Sequence, residues 1–320
     1  MTSAARSLPR HPVSTSSFPA RGVPTAEALV RRHVHGAELA CREWGRPGHP
    51  LVLMVHGLSA NALSAETLGR ALAAKGYHVV APDLRGRNLS PATEPGSLGW
   101  RTHAHDMLAV ARQVNGSKPF TVVGHSMGAY VAMEMAVLAR HKLERVVLID
   151  GLGHIEPGAW KAVVASPGRL GKEYASADAY VGALLAKGIP PAWARSFRED
   201  LVTLANGKVT PRTNRDAVLE DLMYTQRQLE RPGAFARHYW RTLPDATLLV
   251  RAPVPLVPQL GNIVSERDVR NFKAQRPRVR VVEAPGTNHY SVFTDAAVAK
   301  IVVAFVKKTD TQTLVGQPSR

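Results

Sequence analysis

The sequence predicts an α/β protein: a mostly parallel, doubly wound sheet covered by helices, interrupted by a helical insertion. Three observations predict it. Short apolar runs rich in Val, Leu and Ile recur along the chain, as strands buried on both faces require. Segments of helical periodicity separate them, which is the βαβ rhythm of a parallel sheet. Between Gly151 and Pro244 that rhythm stops, and about ninety residues carry helix-like segments with no convincing strand.

Each element follows from its pattern. "HVHGAELACREWG" (33–45) reads as a hairpin turning near Gly36. "LVLMVHG" (51–57), "YHVVAPD" (77–83), "FTVVGHS" (120–126) and "RVVLIDG" (145–151) read as buried strands, the last of them the sixth. "ATLLVRAP" (246–253) and "RVRVVEA" (278–284) complete the sheet. Helical patterns fall at 64–75, 100–114, 127–140, 265–275 and 294–308. The expected organisation is a core from 26–151 and 244–308, with a helical cap from 152–243 inserted after the sixth strand. Residues 1–25 hold Ser, Pro and Arg, no acid, and no apolar core of roughly 7–15 residues. They read as a disordered leader and not as a secretory signal; their composition also fits an organellar transit peptide. Residues 309–320 read as a loose tail.

Composition narrows the function classes. Of 320 residues, 45% are apolar, enough for a large core. No stretch of about 20 residues is free of charge, so no membrane-spanning helix is expected. Cys41 is the single cysteine, which excludes an internal disulfide and a Cys-rich metal site and suits a reducing, cytoplasmic setting. The net charge is +16, but Arg is scattered, without a block of five or six like charges. This reads as solvated surface, with no recognised nucleic-acid motif beside it.

The chemistry concentrates at "FTVVGHSMGAYVAMEMA" (120–136), where a strand becomes a helix through Gly124-His125-Ser126-Met127-Gly128. A serine hydroxyl is a poor nucleophile and must stand clear of its backbone to meet a base. A tight strand-to-helix turn lifts it there, and flanking glycines allow backbone and helix to approach. The helix start leaves amides free for negative charge, so the Met127 N–H is an expected oxyanion donor. Among thirteen histidines, His289 in "EAPGTNHYSVF" follows the last strand on the same side of the sheet and is the expected base. The acid is assigned by elimination. Residues 246–265 contain no Asp or Glu, whereas Asp150 ends "RVVLIDG"; Glu266 and Asp268 are the fallback candidates. "MVHGLSAN" (54–61) offers the Leu58 amide as a second oxyanion donor, and Asp83 and Arg85 in "APDLRGRNLS" are expected to brace loops. No His pair has metal-ligand spacing, so neither metal nor organic cofactor is expected.

Taken together, His56-Gly57, "DLRGRNLS", Gly-His-Ser-Met-Gly at 124–128 and "GTNHYSV" with His289 resemble the α/β-hydrolase fold family, over roughly residues 33–308. The resemblance implies a helical cap after the sixth strand and a serine-based catalytic triad. Two departures stand out: Asn88 where glycine is common, and no acid after the seventh strand. Asp150 matches the alternative acid position of some members. The expected activity is hydrolysis of a carboxylic ester or lactone with a hydrophobic small-molecule substrate. A C–C bond hydrolase with the same triad, or a small-ligand receptor on the same fold, are the alternatives.

Overall fold

The computed structural model describes residues 27–256 and 259–307; the expected leader (1–25) and tail (309–320) lie outside them. The hairpin forms from β1 (Glu27–Val34) and β2 (Ala37–Trp44), turning through His35 and Gly36, both at positive φ. Next come β3 (Leu51–Val55), α1 (Glu66–Ala73), β4 (His78–Pro82), α2 (Trp100–Asn115), β5 (Phe120–His125), α3 (Met127–Ala139) and β6 (Leu143–Ile149). The interrupted segment contributes α4 (Pro157–Ala165), α5 (Ala177–Leu185), α6 (Pro191–Glu199), β7 (Leu201–Thr203), β8 (Val209–Pro211), α7 (Arg215–Leu229) and α8 (Pro232–Tyr239). The chain then returns through β9 (Thr247–Arg251), α9 (Glu266–Gln275), β10 (Arg280–Glu283), α10 (Ser291–Thr294) and α11 (Ala296–Lys307).

Eight strands form one sheet in the order β1-β2-β4-β3-β5-β6-β9-β10, antiparallel across β1/β2 and β2/β4 and parallel elsewhere. The strands read as unbroken apolar runs because both faces are covered. In β3, Leu51, Leu53 and Val55 join one core cluster, and Val52 and Met54 join the other. In β6, Val146 and Leu148 divide from Val147 and Ile149 in the same way. Helices α2 and α3 pack together over the first face, and α1 meets α11 over the second. Burying each such side chain contributes roughly 1.5–3 kcal/mol.

Because β4 and β5 flank β3 on opposite sides, the connections diverge there. Such a switch point leaves a crevice at the strands' C-terminal ends, where open α/β sheets bind ligands. One expectation needs correction. The segment between β6 and β9 is mostly helical but includes the hairpin β7–β8. Its strands have three residues each, too short to show alternation. The Asn206-Gly207 pair between them, with Gly207 at φ 79°, was the available turn signal.

Candidate active site

Ser126 stands between β5 and α3 with φ 56° and ψ −122°, a left-handed conformation that costs a non-glycine residue roughly 1–3 kcal/mol. Its neighbours hold it there. The Ser126 amide donates to the Ile149 carbonyl at 2.9 Å, and the Ala129 amide donates to the Ser126 carbonyl at 2.9 Å. Both glycines are sterically required. A Cβ on Gly124 would overlap the Gly128 carbonyl, and one on Gly128 would overlap the Val55 carbonyl.

His289 lies in the loop between β10 and α10. Asn288 Oδ1 shapes that loop by accepting the amides of Tyr290 (3.0 Å) and Ser291 (2.9 Å). A carboxylate can only accept, so His289 Nδ1–H donates to Asp150 Oδ2 at 2.8 Å. Nε2 is then the acceptor for the Ser126 hydroxyl, 3.0 Å away. Asp150 is buried at the end of β6 with φ 46°, and its Oδ1 accepts the Ala252 amide at 3.1 Å. The two fallback carboxylates face elsewhere. Asp268 Oδ2 accepts the His154 amide at 2.7 Å, while Glu266 is exposed beside Arg270 at 3.6 Å.

His125, next to the serine in sequence, has a place of its own. Its Nε2–H donates to the His289 carbonyl at 2.8 Å, and its ring stacks on Phe293 at 4.7 Å between centroids. Burial, reinforced by the nearby His289, pushes its pKa well below the usual range and keeps the ring neutral.

Two backbone amides remain uncommitted at the crevice. Among the described residues, neither the Leu58 nor the Met127 N–H donates to a protein acceptor. The peptide leading into Leu58 is held on both sides. His56 Nε2 accepts the Leu84 amide (3.0 Å), so its Nδ1–H donates to the Gly57 carbonyl (2.8 Å). Burial lowers the His56 pKa to about 3. On the far side, Arg87 Nε donates to the Leu58 carbonyl at 3.1 Å. Arg87 is fully buried and paired through Nη2 with Asp221 Oδ2 of α7 at 2.5 Å; His103 Nε2 shares that oxygen at 2.8 Å. Burial opposes the Asp221 charge, but His103 and Arg87 outweigh it and hold the pKa at about 2. This link spans 134 residues of sequence and had no sequence signal.

The 83–90 loop braces as expected. Asp83 Oδ1 accepts the Ala62 amide at 2.7 Å, and Arg85 pairs with Asp106 at 2.6 and 2.7 Å. Asn88 sits at φ 44°, which explains why glycine suits this position and why asparagine is tolerated. Its amide donates to Asp83 Oδ2 (3.0 Å) and its carbonyl accepts from Arg212 of the insertion (3.1 Å).

A recess of about 50 Å³ opens at Ser126, bounded by Gly57, Leu58, His289, Val163, Trp193 and Phe197, the last three from the insertion. Trp193 Nε1–H donates to the Tyr290 carbonyl, tying α6 to the loop of His289. The insertion's aromatics therefore divide. Tyr224, Phe235 and Tyr239 pack around Trp100 of α2, whereas Trp193 and Phe197 face the recess. Among the described residues, no three His, Cys, Asp or Glu groups are placed to hold a metal ion.

Residues 50–296 match the family described as alpha/beta hydrolase fold. A serine hydrolase-like protein from Dictyostelium discoideum is 32% identical over 120 residues, 37% of this chain and 33% of that protein. Lipase LipV from Mycobacterium tuberculosis is 31% identical over 175 residues, 53% of this chain and 65% of that one. The chain thus spans less than two thirds of the length of these curated relatives. The crystal structure of E-2-(acetamidomethylene)succinate hydrolase superimposes with a TM-score of 0.75, covering 88% of this chain and 100% of that chain at 24% identity, a likeness of fold.

Proposed function

The chain belongs to the α/β-hydrolase fold family, and from that premise we propose that it is a serine hydrolase cleaving a carboxylic ester or lactone through an acyl-enzyme. The observation that carries the reading is the hydrogen-bonded chain from Ser126 Oγ through His289 to Asp150, at 3.0 and 2.8 Å. Ser126 attacks the carbonyl carbon as His289 Nε2 takes its proton. The carbonyl oxygen becomes an oxyanion held by the Leu58 and Met127 amides, each such donor being worth roughly 3–4 kcal/mol. His289 then protonates the leaving alcohol as the C–O bond breaks. Water, deprotonated by His289, attacks the acyl-enzyme and releases the acid and Ser126. Asp150 keeps His289 in the required tautomer and stabilises the imidazolium. In this reading residues 152–243 act as the cap that shelters the acyl-enzyme, on a core formed by 26–151 and 244–308.

The test pairs a fluorophosphonate probe with a panel of p-nitrophenyl esters and lactones. Wild type should be labelled on Ser126 and turn over at least one ester; Ser126→Ala should lose both. Equal turnover by the alanine variant would sink the proposal. Turnover of ketonic substrates alone, still dependent on Ser126, would transfer the same triad to C–C bond hydrolysis.

A further inference from the structure

The recess at Ser126 is too small for a whole substrate. About 50 Å³ admits little beyond the reacting carbonyl, whereas ligand sites commonly measure roughly 300–1,000 Å³. The remaining volume lies next door. A cavity of about 590 Å³ shares Ser59, Ala162, Ser166, Phe197, Leu256 and Tyr290 with the recess. The wall common to both is largely apolar, but the farther wall carries Lys161, Arg169, Lys172 and Lys187 and no carboxylate among the described residues.

Among the described residues these charges are not neutralised. Among the described residues, none of the four forms an ion pair with a carboxylate. Glu173, beside Lys172, is engaged by Lys208 at 3.1 Å. Asp200, whose field reaches Arg169, is buried and accepts the Thr213 amide at 3.0 Å. Arg169 is fixed by neutral acceptors, donating to the Ser59 carbonyl at 2.5 Å and to the Tyr180 hydroxyl at 3.0 Å. Its guanidinium lies 4.2 Å from the centre of the Phe197 ring. A fixed, half-buried arginine and three exposed lysines, without a carboxylate partner among the described residues, line this cavity and favour anions there.

We propose that the substrate is anionic: an ester or lactone whose carbonyl enters the recess at Ser126, whose apolar stem follows Phe197 and Leu256, and whose carboxylate or phosphate end is held by Lys161, Arg169, Lys172 and Lys187. This rests on the serine-hydrolase reading for the reacting end. The charged end is a binding claim with its own test.

Two measurements decide it. In the first, mono-p-nitrophenyl glutarate is compared with its neutral methyl ester, and a matched phosphate-terminated ester serves as a third substrate. Wild type should favour an anionic substrate at least tenfold in kcat/KM at low salt, with the advantage shrinking as salt rises. The Lys161→Gln/Lys172→Gln/Lys187→Gln variant should lose most of that ratio through KM, while Lys300→Gln, on α11 and not lining the cavity, should keep it. Whichever anion gains more identifies the end group. In the second, glutarate monomethyl ester and dimethyl glutarate are titrated into Ser126→Ala protein by calorimetry, which reads binding without turnover. Tighter binding of the monoanion, lost in the lysine triple variant, supports the proposal even if no ester is hydrolysed. Equal affinity for charged and neutral ligands, or an unchanged ratio in the triple variant, overturns it. Loss of turnover alone would count against the serine-hydrolase reading and leave this binding result standing.

Discussion

At the scale of single residues, the question is which carboxylate serves His289. Asp150 Oδ2 lies 2.8 Å from Nδ1, whereas Asp268 holds the His154 amide. Asp150→Asn is therefore expected to lower kcat by orders of magnitude, since the comparable change in a serine protease costs about 10⁴-fold. Far-ultraviolet circular dichroism should show the variant folded. Asp268→Asn should instead lower stability by about 1–3 kcal/mol and leave kcat within a few fold. The reverse pattern would move the acid to α9. The pairing also explains an apparent gap in the chain. The loop after β9 needs no carboxylate, because Asp150 at the end of neighbouring β6 reaches the same ring nitrogen and is fixed there by the Ala252 amide.

At the scale of elements, two junctions carry the site. The first is the turn from β5 to α3. A methyl at Gly124 would collide with the backbone of α3, and one at Gly128 with the backbone at the end of β3. Gly124→Ala and Gly128→Ala are expected to destabilise by more than about 3 kcal/mol or to prevent folding. Chemical denaturation measures this, and a near-neutral result would mean that the turn can relax. The second junction is between α7 and the 56–58 strand end. Asp221 holds Arg87, and Arg87 holds the Leu58 carbonyl. Asp221→Asn leaves a buried guanidinium without its counter-charge, a loss of roughly 3–5 kcal/mol. It should also lower kcat about tenfold with KM nearly unchanged, because a misaligned Leu58 amide weakens the transition state and not ground-state binding. A purely structural link would reduce Tm without altering kcat of the protein that remains folded.

For the whole molecule, buried titratable groups set how stability responds to acid. His56 is held near pKa 3 by burial, against an ordinary value of 6.5. His125 is shifted in the same direction by burial. The unfolded chain binds protons on these rings below pH 6.5 and the folded one does not, so their stability contribution is complete above pH 6.5 and falls as pH drops. For His56 alone the loss between pH 6.5 and 5 is about 2 kcal/mol. Burial raises the Asp83 and Asp200 carboxyls to about 6, so the folded chain takes up protons there over the same interval and opposes this loss. Calorimetry should therefore show wild type losing about 3 °C more in Tm than His56→Gln between pH 6.5 and 5. Asp221, held at about 2, adds a second loss between roughly pH 4 and 2. An equal fall of Tm with pH in wild type and His56→Gln would contradict the neutral, buried assignment of His56.

Much of this was legible in the chain. Continuous apolar runs such as "LVLMV" and "VVLI" specify strands buried on both faces, because no half-exposed strand tolerates them. Gly124-x-Ser126-x-Gly128 between strand and helix specifies a turn that only glycines can close. His289 followed from its position after the last strand. These are local facts, carried by side-chain size, backbone freedom and periodicity within one segment. What only the tertiary structure decided depends on distance in space. Which carboxylate meets His289 was settled by the pairing of β6 with β9, which brings Asp150 beside Ala252. The Arg87–Asp221 contact joins the 83–90 loop to α7, and no spacing rule connects residues 134 positions apart. Lys161, Arg169, Lys172 and Lys187 looked like scattered charge on a basic chain until α4 and α5 and their connections turned them into one cavity. Electrostatic fields add by position and not by sequence order, so the meaning of those charges had to wait for the fold.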